Sequence, residues 1–224
     1  MPSVARLTST GVTAAAVLFG AAACSGLDQA SAASITRDDL ISEMAGQLST
    51  STGLTYTAKY QLSGGETARI TQVQKPTRTA YAYPGGRLIL TSTAAIRCRG
   101  SENAPTCTET TPSPANEARQ TGALVTPDAV LAMLNTAALD ATVVAKQHDT
   151  TVAGRHATCL DLSKSDGSPT GRYTVCVTSE GALGSFTGVL NGNQADVALT
   201  AYSDKPDESA FVLPPATHLT DNRQ

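Results

Sequence analysis

The chain has 224 residues, 41% hydrophobic, 16% charged and 4% aromatic, with no tryptophan. That is enough apolar material for one ordinary buried core, and too little charge for a chain that stays solvated and unfolded. Sixteen basic against nineteen acidic side chains give a net charge of −3, which leaves no general cationic excess for a nucleic-acid binder.

The N-terminus carries one early positive charge, Arg6, followed by an apolar stretch over 11–23. This stretch is shorter than the roughly 20 residues a bilayer crossing takes. Small residues Ala21, Ala22 and Ala23 come next, directly before Cys24. A charged start, a short apolar run and a small-residue cleavage site read as a secretory signal over 1–23. With a cysteine at the cut, the segment resembles a bacterial lipoprotein signal. That resemblance implies that Cys24 heads the mature chain and carries a diacylglyceryl group on its sulfur. Two chains of that kind suffice for stable anchoring. Ordinary secretion with cleavage elsewhere and an uncleaved signal anchor are the competing readings, since Ala21 stands where the motif prefers Leu. Residues 24–35 are small and polar and read as a tether.

Thr36 is placed to cap a helix over 37–49, with Asp38 and Asp39 at its positive end and Leu40, Ile41, Met44 and Leu48 at helical spacing. Strands follow. Tyr56, Ala58, Tyr60 and Leu62 alternate with polar residues, and Gly64-Gly65 turns the chain into a return strand over 68–74. Further strands are expected over 78–83 and 87–91, joined by a type II turn at Pro84-Gly85, and over 95–99 and 106–110. Residues 111–122, with two prolines, read as a long loop. Thr126-Pro127-Asp128 opens a second helix over 127–139. Strands resume over 142–148, 155–162, 171–178, 185–190 and 195–202, with a short edge strand over 209–212. Roughly ten antiparallel strands and two helices make an α+β chain that is mainly antiparallel β. A sheet of that size must curl or be covered.

Cys24 leaves an even four cysteines, Cys98, Cys107, Cys159 and Cys176. Export places them in an oxidising compartment, and each pair of sequence neighbours sits where adjacent antiparallel strands meet, so bridges 98–107 and 159–176 are expected. A metal site is the competing reading, but no CxxC spacing supports it, and no metal is expected.

The lipoprotein start, the early helix, the strand meander interrupted by a helix, and the closing Phe211-Val212-Leu213-Pro214 together resemble the LolA-like superfamily of bacterial lipoproteins. Its members include LolA, LolB and the actinobacterial LppX and LprG. The segment from Gln74-Lys75-Pro76 to Gly86-Arg87-Leu88 is similar to that family's Pro-bounded strand pair. The resemblance covers about 36–219, with 220–224 a C-terminal tail, and the four paired cysteines depart from it. It implies an incomplete β-barrel whose concave face is covered by two helices, and an apolar cavity for a lipid or lipidated molecule. The lining residues it singles out are Leu88, Leu90, Leu131, Leu134, Val175, Val177, Phe186 and Leu199, any one of which reads more readily as packed core than as a ligand contact.

No GxSxG, HExxH, P-loop or GxGxxG motif occurs. His148, His156 and His218 are scattered, so an enzyme is not expected, nor a cofactor. Arg97 and Arg99 flank Cys98 and suit either an anionic head group or a solvated strand. The sequence therefore predicts a lipoprotein anchored on the extracytoplasmic face of the cell membrane that binds a lipid or lipoglycan, for transfer across the envelope. The alternative is a protein-binding envelope sensor or regulatory module on the same fold, with a membrane protein as its partner.

Overall fold

The computed structural model describes residues 36–100, 104–113, 124–167, 171–190 and 192–223. The expected signal, Cys24, the tether and most of the proline-bearing loop lie outside these residues.

The first helix, α1, spans Arg37–Ser49. Its cap is reciprocal: the Thr36 hydroxyl accepts from the Asp39 amide, and the Asp39 carboxylate accepts from the Thr36 amide at 2.9 Å. Two otherwise orphaned donors are thereby satisfied. The second helix, α2, spans Pro127–Leu139, with Thr126 as cap and Pro127 in the first turn, where its missing N–H costs nothing. α1 buries Ile41, Met44 and Leu48, and α2 buries Val130, Leu134 and Ala137, all in one core with the sheet. The Arg37 guanidinium ties the two helices together. It donates to the carbonyls of Ala138 (3.0 Å), Asp140 and Val143 at the end of α2 and the start of the next strand.

Among the described residues, twelve strands form a single curved, unclosed sheet. They are β1 (Tyr56–Leu62), β2 (Thr67–Gln74), β3 (Thr77–Tyr83), β4 (Gly86–Thr91), β5 (Ala95–Arg99), β6 (Thr106–Thr110), β7 (Val143–Val152), β8 (Arg155–Lys164), β9 (Tyr173–Thr178), β10 (Leu183–Leu190), β11 (Asn193–Ser203) and β12 (His218–Asp221). The spatial order is β12-β6-β5-β4-β3-β2-β1-β11-β10-β9-β8-β7. Two meanders, β1–β6 and β7–β11, thus meet at a seam where β1 pairs with β11. All neighbours are antiparallel except β12, which joins β6 in parallel.

Alternation decides which face the helices cover. Tyr56, Ala58, Tyr60 and Leu62 of β1 all enter the helix-side core, as do Leu160 and Leu162 of β8 and Val175 and Val177 of β9. Tyr60 is fully buried, and its hydroxyl donates to the Leu183 carbonyl at 3.1 Å. Tyr56 stacks on Tyr202 across the seam with ring centroids 5.5 Å apart. Both expected disulfides are present, each between residues directly opposite on adjacent strands: Cys98–Cys107 on β5 and β6, and Cys159–Cys176 on β8 and β9.

The C-terminal segment differs from the sequence reading. The expected edge strand over 209–212 is instead a 3-10 turn, Glu208–Phe211. The Asp207 side chain accepts from the Ser209 amide, a local bond that competes with a strand ladder. The edge strand comes later, at His218–Asp221. All four of its residues are exposed, so they carry no alternation from which a strand could be read. Between β11 and β12 the chain crosses the sheet on the face away from the helices. The Asp207 amide donates to Thr57 Oγ1 (2.8 Å), the Asp207 carboxylate accepts from Arg69 (2.6 Å), and Glu208 pairs with Arg78. The Arg78 guanidinium also lies over the Phe211 ring, 4.3 Å from its centroid.

Candidate ligand-binding cleft

The eight residues expected to line an apolar cavity are brought together by the fold. Leu88, Leu134, Val175, Val177, Phe186 and Leu199 are buried in the main core between helices and sheet, and Leu90 and Leu131 pack against it. A cleft of about 820 Å3 lies elsewhere and shares none of these eight.

Its floor is one register row. Lys59 faces Arg69, Arg69 faces Ala82, Ala82 faces Arg87 and Arg87 faces Cys98, running across β1 to β5. Directly opposed residues share a face of the sheet, so all five point to the side that the C-terminal strap crosses. The walls come from Pro84 and Gly85 of the β3–β4 turn, Arg99, Gly100 and Pro105 around the β5–β6 loop, Thr200 of β11 and Pro214 of the strap. Gly85 takes φ 76°, the left-handed value that a type II turn requires at this position. Tyr60, Thr67, Ala68, Tyr83 and Gly86 complete the lining.

The charge of this region is one-sided. From Tyr56 to Arg99 the basic residues are Lys59, Arg69, Lys75, Arg78, Arg87, Arg97 and Arg99, against a single acid, Glu66. The strap supplies carboxylates to two of them, Asp207 to Arg69 and Glu208 to Arg78. Arg87 donates to the Val212 carbonyl at 3.0 Å. Lys59, Arg87, Arg97 and Arg99 form no ion pair among the described residues, and the buried Arg97 Nε has no hydrogen-bond partner among them. The Asp207 carboxyl is held below the usual carboxylate range, first by the Ser209 hydroxyl and, among further causes, by the Arg69 charge. Burial pushes the Tyr83 phenol up, opposed by the charges of Arg97 and Arg99.

Sequence reading singled out Arg97 and Arg99 but missed Lys59, Arg69 and Arg87. Their signal was the excess of basic residues within 56–99, hidden by a net charge of −3 for the whole chain. The histidines stand apart from the cleft: His148 lies 3.3 Å from Asp161, and His156 lies 3.9 Å from Asp149. Among the described residues no three His, Cys, Asp or Glu side chains gather to hold a metal ion, and no helix is long and apolar enough to cross a membrane.

No protein-family model and no curated protein matches the sequence. Among solved structures the chain is similar to MucB, with a TM-score of 0.50 and 12% identity over 77% of this chain and 62% of that one. The chain thus spans less than two thirds of MucB. It is also similar to an uncharacterized conserved protein from Thermus thermophilus (TM-score 0.49, 10% identity, 81% of this chain and 98% of that one). A third similar structure is PNGF-II (TM-score 0.32, 10% identity, 76% and 32%). At 12% identity the likeness to MucB is one of fold: a large curved sheet with helices on one face.

Proposed function

We propose that the protein is a lipoprotein, anchored through Cys24 to the extracytoplasmic face of the cell membrane, that binds a lipid or lipidated molecule and leaves it chemically unchanged. The observation that carries this reading is the cleft of about 820 Å3, a volume within the range of pockets that enclose a small molecule or part of an amphiphile. Its prolines and Ala82 offer apolar surface beside the polar floor.

Native mass spectrometry of the full protein, extracted gently from membranes, tests the reading. The expected spectrum shows a diacylglyceryl mass on Cys24 and a second, non-covalent lipid mass. An unmodified Cys24 would sink the anchor, and a protein free of bound lipid would sink the cargo.

A second reading, a protein-binding envelope module, draws on β7. This ten-residue strand ends the sheet, pairs on one side only among the described residues and is mostly exposed. Such an edge can accept a strand from a partner. Cross-linking that returns one partner protein through β7, with no lipid bound, would favour it.

A further inference from the structure

We infer that one rim of the domain, formed by the end of α2 and the adjoining end of β7–β10, rests on a lipid bilayer, with Leu139, Val144 and Val189 entering its head-group layer. The inference depends on the Cys24 anchor proposed above and adds which surface of the domain meets the membrane.

Among the described residues five large apolar side chains stand exposed, and three of them gather here: Leu139 at 90%, Val144 at 41% and Val189 at 36%. Register places the valines. Ala145, Leu162, Tyr173 and Gly188 form one row across β7 to β10. Val144 and Val189 each lie one residue beyond that row, toward the same end of the sheet, about 14 Å apart across three strand spacings. Ala145, Leu162 and Tyr173 pack toward the helices, so both valines point to the opposite face. Leu139 ends α2 on the helix side, four residues before β7 begins. The three side chains thus straddle the rim.

Scattered apolar side chains are ordinary on a protein surface, whereas a group of them marks a contact. Leu139 is also held in place. The Arg37 guanidinium donates to the carbonyls on either side of it, Ala138 (3.0 Å) and Asp140. The Asp140 carboxylate accepts from the Thr142 amide at 2.9 Å, which fixes the turn that follows. A leucine pinned this way stays in solvent unless a partner covers it.

The chain that leads into the domain says what that partner is. Residues 25–35 join Cys24 to Thr36, and Arg37, the first residue of α1, touches the rim itself. A small, polar segment of that length spans about 20 Å on average and about 40 Å when fully extended. A lipid on Cys24 therefore keeps this rim close to the bilayer, and a weak insertion becomes an intramolecular one. The contact is apolar. Two cations of the rim are already paired there, Arg37 with Asp38 and Lys164 with Asp140, so no anionic lipid is needed.

The chain has no tryptophan, so an introduced one reports alone. Leu139→Trp, Val144→Trp and Thr151→Trp are compared in the full-length protein, processed in bacterial cells and reconstituted into phosphatidylcholine vesicles with and without brominated acyl chains. Thr151 is exposed and lies on the same strand as Val144, about 23 Å away. Emission from positions 139 and 144 is expected to move to shorter wavelength and to lose most of its intensity to the brominated chains, at low and high salt alike. Emission from position 151 is expected to stay as it is in water. Mass spectrometry of each sample reports the state of Cys24. With Cys24 diacylated, aqueous emission from all three positions overturns the rim contact and leaves the anchor standing. Equal quenching at all three, or a response at only one of 139 and 144, overturns it as well. So does a response that appears only when phosphatidylglycerol is added. An unmodified Cys24 overturns the anchor and the inference with it.

Discussion

Gly181 shows how much a single position carries. It takes φ +94°, and a methyl group there would overlap Thr50 Oγ1 and lie 2.9 Å from the Gln47 carbonyl. It thus allows the end of α1 to sit directly on the β9–β10 turn, where Gln47 Nε2 also donates to the Thr178 carbonyl at 2.9 Å. Gly181→Ala must bear left-handed backbone strain and push the helix end away, so it is expected to cost about 2 kcal/mol or more, read as a lowered urea midpoint. Tyr60→Phe tests a different kind of dependence. It leaves the ring in the core but strands the Leu183 carbonyl, an expected loss of about 1–2 kcal/mol in the same assay. Asp207 brings pH dependence to the strap. Its carboxyl is held below the usual range, so the fold favours the ionised form. The resulting stabilisation is present above the ordinary carboxylate range and fades as pH falls through the lowered value. Hydrogen-exchange protection over 204–217, measured against the intrinsic rate at each pH, is expected to fall on acidification, and Asp207→Asn to lower it already at neutral pH.

At the level of elements, the two disulfides staple the two meanders separately, one on β5–β6 and one on β8–β9. Their loops differ, with sequence separations of 9 and 17 residues. Chain-entropy reasoning assigns about 2.6 kcal/mol to the shorter and about 3.1 kcal/mol to the longer. Removing Cys159–Cys176 by paired alanine substitution is therefore expected to lower stability slightly more than removing Cys98–Cys107. Only loss of the latter should weaken ligand binding, because Cys98 ends the cleft floor. Denaturation and lipid titration of the two variants separate the effects. The strap belongs to this scale as well. Thr57 and Thr71 are buried with Asp207 and Ala210 above them, so the outer face of β1–β3 is roofed by one irregular segment instead of a third helix.

Over the whole molecule, the parts legible in the sequence were those with strong local rules. Thr36 and Thr126 marked both helix starts, because a cap needs a side-chain acceptor at one position. The alternation Tyr56-Ala58-Tyr60-Leu62 marked β1, because one face of it is buried. What stayed hidden was set by distant contacts. The exposed strand β12 is held by its ladder with β6, and the cleft floor gathers residues from five strands that no local pattern links. The eight apolar positions were identifiable as inward-facing, but periodicity does not distinguish a packed interior from a cavity wall. The β1–β11 seam carries a temporal consequence. As the chain is made from its N-terminus, β1 has only β2 beside it until residues 193–203 have been synthesised. For most of synthesis the future centre of the sheet is thus an open edge of seven residues with Lys59 as its one charge, the kind of edge that recruits stray strands. Closing a contact so distant along the chain is slow, and the nascent protein needs shelter until residues 193–203 arrive.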